Sequence, residues 1–194
     1  MTQVSSWTIQ AYRQALTSGR LDPAQRYEII DGELLPMSPP LFLHQWVAKI
    51  LFRLLDRFVL NQDLGEVFFA PLDVVLSDIQ KPQPDLLFVA KDRLNIIHRF
   101  GTIEGAPDLI IEILSSSTAK ADQNRKRQIY ETAGVKEYWL IDTDKQTATV
   151  LSLQANLFVE IEQTTNRLSS AVVLKGFEVA LSDLFDLPLG ITED

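Results

Sequence analysis

The sequence predicts an α/β fold, a mixed sheet flanked by helices, from three observations. Short apolar runs recur as "EVFFA", "DVVL", "PDLLFVA", "PDLIIEIL" and "EYWLID". Two longer stretches instead repeat apolar residues at helical spacing. The two kinds of segment are interleaved in the order helix, hairpin, long helix, several strands, helix, strands, without a repeat or a low-complexity tract.

Each element has a local reason. "WTIQAYRQALTSG" reads as a short helix stopped at Gly19. "RYEIIDGELLPMS" is a hairpin signal, because Asp31-Gly32 suits a two-residue turn between apolar-rich arms. Pro39-Pro40 breaks the chain before "LFLHQWVAKILFRLLDRFVLNQ". There Leu43, Val47, Ile50, Leu54 and Phe58 recur at helical spacing, and Lys49, Arg53, Asp56 and Arg57 take the other side. After Gly65 come three strand-like runs, then the less regular "KDRLNIIHRFGTIEGA". "PDLIIEIL" is apolar on both faces, which makes it a central strand. A helix from about Thr118 to Ala133 ends at Gly134 and leads into "EYWLID". "TATVLSLQANLFVEIEQ" and "GFEVALSDLF" read as hairpin and edge strands that close the sheet.

Composition sets the bounds. The chain has 194 residues, 46% of them apolar, enough for one sizeable core and too few for two comfortable domains. Residues 1–194 are therefore expected to form a single domain. With no cysteine, neither a disulfide framework nor a thiolate zinc site can form. No apolar run approaches the ~18 residues of a membrane span, and "MTQVSSWTIQ" lacks a signal-peptide pattern, so the expectation is a soluble, cytoplasmic protein. A net charge of −8 argues against a surface that holds nucleic acid by bulk electrostatics.

The chemistry begins with Glu112, a carboxylate inside the apolar run "LIIEIL". Glutamate is rarely buried unless paired, and an unpaired buried charge costs several kcal/mol. Strand alternation puts Asp108, Ile110, Glu112 and Leu114 on one face and Leu109, Ile111 and Ile113 on the other. Asp85 opens the similar run "PDLLFVA". Taken singly, Glu112 fits an ion pair with some Lys or Arg, and Asp85 fits a turn residue after Pro84.

The next helix changes that balance. Ala119, Asp122, Ile129, Tyr130 and Ala133 fall within about 60° of Lys126 on a wheel of ~100° per residue. Lys120, Asn124, Gln128 and Glu131 take the outward arc, with Arg125 and Arg127 on its shoulders. Lys126 thus sits at the centre of the apolar face. A surface Asp122–Lys126 pair explains Asp122 but not the inward direction of the lysine. Two acids and a lysine converging from two strands and a helix suit phosphoryl chemistry. Carboxylates hold a divalent ion that polarises a phosphoryl oxygen and lowers the pKa of a bound water, and the lysine orients that water or offsets developing charge.

The segments "YEIIDGELLPMSPP", "HQWVAKILFRLL", "QPDLLFVA", "APDLIIEILSSST" and "DQNRKRQIYETAGVKEYWLID" resemble, in order from about Tyr27 to Leu151, the bacterial restriction-endonuclease-like family called domain of unknown function 820. The resemblance implies a PD-(D/E)XK nuclease core, here with an N-terminal hairpin and a long helix, and metal-dependent hydrolysis of phosphodiester bonds in DNA. By position, Pro84-Asp85 is similar to the PD element and Glu112 to the (D/E) element. The motif lysine would fall two residues after Glu112, where Leu114 stands, so its counterpart is Lys126 on the following helix. The family's "SPST" is "SSST" here, and Thr118 can still cap the helix.

On this reading Asp85 and Glu112 bind Mg²⁺ or Mn²⁺, with the Ile113 carbonyl as an additional ligand, and Lys126 positions the attacking water. Glu28 and Glu33 share a hairpin face and could add a ligand or hold a lysine, with Glu33 slightly favoured by the resemblance. His44, at the start of the long helix, is a further neighbour, more in keeping with a core or helix-end residue. Asp73 and Asp108, close behind prolines, fit turns or strand ends. Lys49, Arg53, Arg57, Lys120, Arg125 and Arg127 could form a local basic groove, and apolar edge strands near the C-terminus make a homodimer an expectation. The acidic net charge keeps a second reading open: a nuclease-fold module, with a regulatory or protein-interaction role and no efficient hydrolysis.

Overall fold

The computed structural model describes residues 6–99, 101–114, 120–164, 166–188 and 190–191, and only the backbone of residues 120–122. Helix α1 (Ile9–Thr17) starts at Thr8, whose hydroxyl accepts the Ala11 N–H at 3.1 Å. Strands β1 (Tyr27–Ile30) and β2 (Glu33–Pro36) form the hairpin, with Glu28 opposite Leu35 and Ile30 opposite Glu33. Asp31 and Gly32 both take positive φ, 51° and 73°, as a tight hairpin turn requires. Helix α2 (Phe42–Gln62) ends at Asp63 in the left-handed conformation.

Next come β3 (Gly65–Phe69), β4 (Val74–Val75), β5 (Leu86–Ala90), a 3₁₀ turn (Lys91–Ile96), β6 (Ile103–Glu104) and β7 (Leu109–Leu114). Helix α3 (Lys120–Ala133) leads to β8 (Glu137–Asp142), β9 (Thr147–Gln154) and β10 (Leu157–Ile161). The chain closes with β11 (Arg167–Ser169), β12 (Glu178–Ala180) and α4 (Leu181–Phe185). The Thr118 cap lies outside the described residues. No helix among the described residues is long and apolar enough to cross a membrane.

Six strands form the main sheet in the order β10-β9-β8-β7-β5-β3. Within this sheet only β7 and β8 run parallel, and α3 is their crossover. Leu109, Ile111 and Ile113 face the core shared with α2 and the C-terminal segment. Ile110 faces the second core, with Ile30, Ile129 and Tyr130. The alternation expected of β7 is therefore the one observed. Gly65 is required where β3 meets the end of β5, since a Cβ there would stand 2.2 Å from the Val89 carbonyl oxygen.

Three details differ from the sequence expectation. The buried stripe of α2 is Val47, Leu51, Leu55 and Val59, and Leu43, Ile50, Leu54 and Phe58 flank it half-buried. The helix is apolar over a wide arc, so spacing alone does not select the line that meets the sheet; each of the four gains roughly 1.5–3 kcal/mol from burial. "DVVL" contributes only β4, which pairs with β6 outside the main sheet. "GFEVALSDLF" does not close the sheet: β12 pairs with β11 apart from it, and "LSDLF" is α4. Phe177, Val179, Leu184 and Phe185 instead cover the α2-side core, and a short apolar run of this kind fits helix as well as strand.

A buried carboxylate ties this tail to the sheet. Glu137 accepts the Trp139 indole N–H at 2.6 Å, the Ser170 hydroxyl at 3.0 Å, and the backbone N–H groups of Ala171, Val172 and Val173 at 2.8–3.0 Å.

Candidate active site

Register brings the two acids of the central strands together. Leu86 pairs with Ile111 and Leu87 with Ile110, so Asp85, one residue before β5, comes opposite Glu112. Asp85 Oδ2 accepts the Ile113 N–H at 2.7 Å. His44 Nε2, from the first turn of α2, lies 3.2 Å from the same oxygen. Glu112 Oε1 accepts from Lys126 Nζ at 3.0 Å and from the Tyr130 hydroxyl at 2.6 Å, both one helical turn apart on α3. Lys126 Nζ also lies 2.9 Å from Glu28 Oε1, which accepts the Gln83 N–H at 2.8 Å. Glu28, His44, Asp85, Glu112, Ile113 and Lys126 all line one cavity of about 390 Å³, a volume ordinary for a ligand site.

The electrostatics are unbalanced toward negative charge. Burial pushes the Glu112 carboxyl up, Lys126 and the Tyr130 hydroxyl pull it down, and Asp85 and Glu28 push it up, so that it stands at about 7. Burial also works against the Lys126 ammonium, yet Glu112 and Glu28 outweigh it and hold the lysine above its ordinary value. For His44, burial is outweighed by the hydrogen bond to Asp85 and by the charges of Asp85 and Glu112, so the imidazole is shifted up. Among the described residues, all the hydrogen bonds and ion pairs on Glu112 and Asp85 fall on Oε1 and Oδ2 respectively.

The structure thus gathers Glu28, His44, Asp85, Glu112 and Lys126. Glu33 it places elsewhere: at the exposed end of the hairpin, Glu33 pairs with Arg125 at 3.1 Å. Arg125 is fully engaged there, reaching Asp31 at 3.2 Å and the Ile30 carbonyl at 3.0 Å, and Arg127 donates to the Phe158 carbonyl at 2.8 Å. Neither lines the cavity. These guanidiniums stitch α3 to the hairpin and to β10, which removes them from the expected basic groove. The side chains of Lys120 and Asp122 lie outside the described residues.

Sequence reading missed Tyr130 as a partner of Glu112, although its place one turn beyond Lys126 was a usable signal. It also missed Gln83, which no local pattern marks. Tyr138 lines the same cavity, and its buried hydroxyl has no partner among the described residues.

A mixed sheet flanked by helices, with this crevice at the end of its central strands, defines the restriction-endonuclease-like class of folds. The profile of the Uma2 family, described as "Putative restriction endonuclease", matches residues 9–182, and the chain belongs to that family. The chain is also similar to a crystal structure from Anabaena variabilis ATCC 29413, described as "a putative nuclease belonging to DUF820". Identity is 20%, coverage is 92% of this chain and 97% of that one, and the TM-score is 0.74, a likeness of fold. Both findings agree with the PD-(D/E)XK resemblance. No curated protein matches the chain.

Proposed function

We infer that the protein is a metal-dependent nuclease that hydrolyses phosphodiester bonds in DNA. The observation that carries this reading is the Lys126 ammonium, held 2.9 and 3.0 Å from Glu28 and Glu112 in the cavity that Asp85 also lines.

The donor set suits a hard divalent ion. Among the described residues no three His, Asp or Glu side chains form a ready metal cluster. Mg²⁺, however, is commonly held by one or two carboxylates and keeps several waters. Asp85 and Glu112 would supply the carboxylates and the Ile113 carbonyl a further oxygen. The crowding that raises Glu112 is what a cation would relieve. Bound Mg²⁺ or Mn²⁺ supplies Lewis acidity toward a phosphoryl oxygen and acidity to a coordinated water.

The chain's own residues do the rest. Lys126 presents an ammonium that stays charged at neutral pH and can orient water or offset charge gathering on phosphate oxygens. Glu28 holds Lys126 together with Glu112, and Tyr130 fixes the Glu112 carboxylate. The Ile113 N–H and His44 fix Asp85. A homodimer is supported by Leu157 and Val159, which stand exposed on the edge strand β10.

The test is incubation of plasmid and of single-stranded DNA with Mg²⁺ or Mn²⁺, with and without chelator, for the natural protein, Glu112→Gln and Lys126→Met. Cleavage by the natural protein alone, and only with the ion, is the expected result. No cleavage with either ion would leave the second reading, a nuclease-fold module with a regulatory or protein-interaction role. Two observations favour it: the net charge of −8, and the neutralisation of Lys126 by two carboxylates.

A further inference from the structure

A second groove, about 270 Å³, opens beside the site along the outer side of α2. It shares His44, Gln45, Ala70 and Asp85 with the cavity already described, so the two adjoin at these residues. Its chemistry is different. Asp85 is the only acid among its lining residues, and Lys49 and Arg53 bring two cations. Neither cation is ion-paired with a described residue, whereas Arg13, Lys81, Lys91, Arg93, Arg125, Lys126, Lys136, Lys145 and Arg167 all are. In a chain of net charge −8, these two side chains, without an ion-pair partner among the described residues, bring positive charge to the edge of the candidate site.

The groove also carries an aromatic wall. Phe69, at the end of edge strand β3, is 58% exposed. Phe52 braces it edge-on, with centroids 4.8 Å apart and planes at 72°. The ring is thus fixed in place while more than half of the residue stays in water. On the next turn of α2, Lys49 Nζ lies 4.6 Å from the Trp46 ring centroid, which holds the ammonium stem against the helix.

We propose that this groove holds an unpaired DNA strand leading into the site, with a base stacked on Phe69 and phosphates paired with Lys49 and Arg53. The proposal rests on the nuclease reading and deepens it by naming the substrate class. Fixed aromatic rings beside unpaired cations are the two components of single-strand binding surfaces. A base inside a duplex has both faces stacked already, so Phe69 suits an unpaired base. The site would then act on single strands, overhangs or locally opened DNA.

The full-length protein, in chelator so that nothing is cut, is titrated against a fluorescein-labelled single-stranded 15-mer and a blunt hairpin duplex, read by anisotropy. The single strand should bind about tenfold tighter than the duplex, and Phe69→Ala should lose about tenfold on the single strand. Phe69→Trp should restore it. Changing Lys49 and Arg53 to Gln together should lower the salt dependence by about 1–2 in slope. Melting curves and sedimentation accompany each variant. Equal affinity for both DNAs, no binding, or full affinity in Phe69→Ala would overturn the proposal. So would a change of oligomeric state in Phe69→Ala, because the patch would then be a contact between copies. Failures remain separable: cleavage unaffected by Phe69→Ala removes the groove and leaves the nuclease. Phe69-dependent binding without any cleavage keeps the groove and removes the nuclease.

Discussion

Strand β7 has a buried carboxylate near each end of one face, and the two have opposite surroundings. Asp108, just before the strand, accepts the Ala90 N–H at 2.9 Å and lies 2.9 Å from Arg93 and 2.7 Å from Lys136. Burial works against its charge, but these donors prevail and hold the carboxyl below its ordinary value. Glu112, four residues on, meets one cation and one hydroxyl and has Asp85 and Glu28 for company, so burial prevails there. The structural acid is oversupplied with donors, and the candidate functional acid is undersupplied. On the proposed function, that shortfall of donors is what a bound cation would make up.

The largest expected effect is on chemistry. Lys126→Met should lower cleavage by roughly 10²–10³-fold while the protein stays folded, because in the proposed mechanism the lysine acts on water and phosphate and does not ligate the ion. Product formation per minute, measured beside a melting curve, checks it; an active Met variant would remove Lys126 from the catalytic set, and an unfolded one would make it a structural partner. Next in size is stability at the other end of the strand. Asp108→Ala should cost about 3 kcal/mol in denaturant unfolding, since it strands the Ala90 N–H and separates two cations from their carboxylate. Glu112→Gln should cost little or raise stability, as Glu28 remains beside Lys126. Equal losses at both ends would erase the contrast.

The two acids should also titrate with opposite sign. The folded pKa of Asp108 is depressed, so its stabilisation is present at neutral pH and lost as pH falls below the usual carboxylate range. The folded pKa of Glu112 is raised to about 7 from 4.5, so the native state keeps its proton longer than the unfolded chain does. Stability from this group is therefore full below pH ~4.5 and is lost as pH rises through ~7, by at most about 3 kcal/mol. In chelator, Tm should fall between pH 5 and 8, and Glu112→Gln should flatten that slope. The smallest effect is metal linkage. Millimolar Mn²⁺ at pH 7.5 should raise stability by about 2 kcal/mol if it binds the native state alone, unchanged in Lys126→Met and absent in Glu112→Gln. A melting curve indifferent to the ion would separate the carboxylates from their proposed cofactor.

What the sequence made legible was incongruity. Glu112 and Lys126 stood out because each occupies an apolar face, and period-2 and period-3.6 arguments aim both at the same core. The hairpin and its register followed from Asp31-Gly32, yet register alone could not separate Glu28 from Glu33. Which of two same-face acids reaches Lys126 and which reaches Arg125 depends on how the hairpin docks. The fate of Arg125 was hidden for the same reason, since its partners Asp31 and Glu33 lie more than ninety residues away. Short runs such as "DVVL" and "LSDLF" were ambiguous because a few apolar residues have no measurable period.

The position of Lys126 on a helix also has a bearing on the order of assembly. A lysine two residues along the strand would arrive with the acid as soon as β7 forms. Carried on α3, it arrives only when Ile129 and Tyr130 seat in the second core. A half-folded chain would thus hold Asp85 and Glu112 in register without the ammonium between Glu112 and Glu28. On the proposed reading, the packing of α3 onto the second core and the completion of the site are therefore one event.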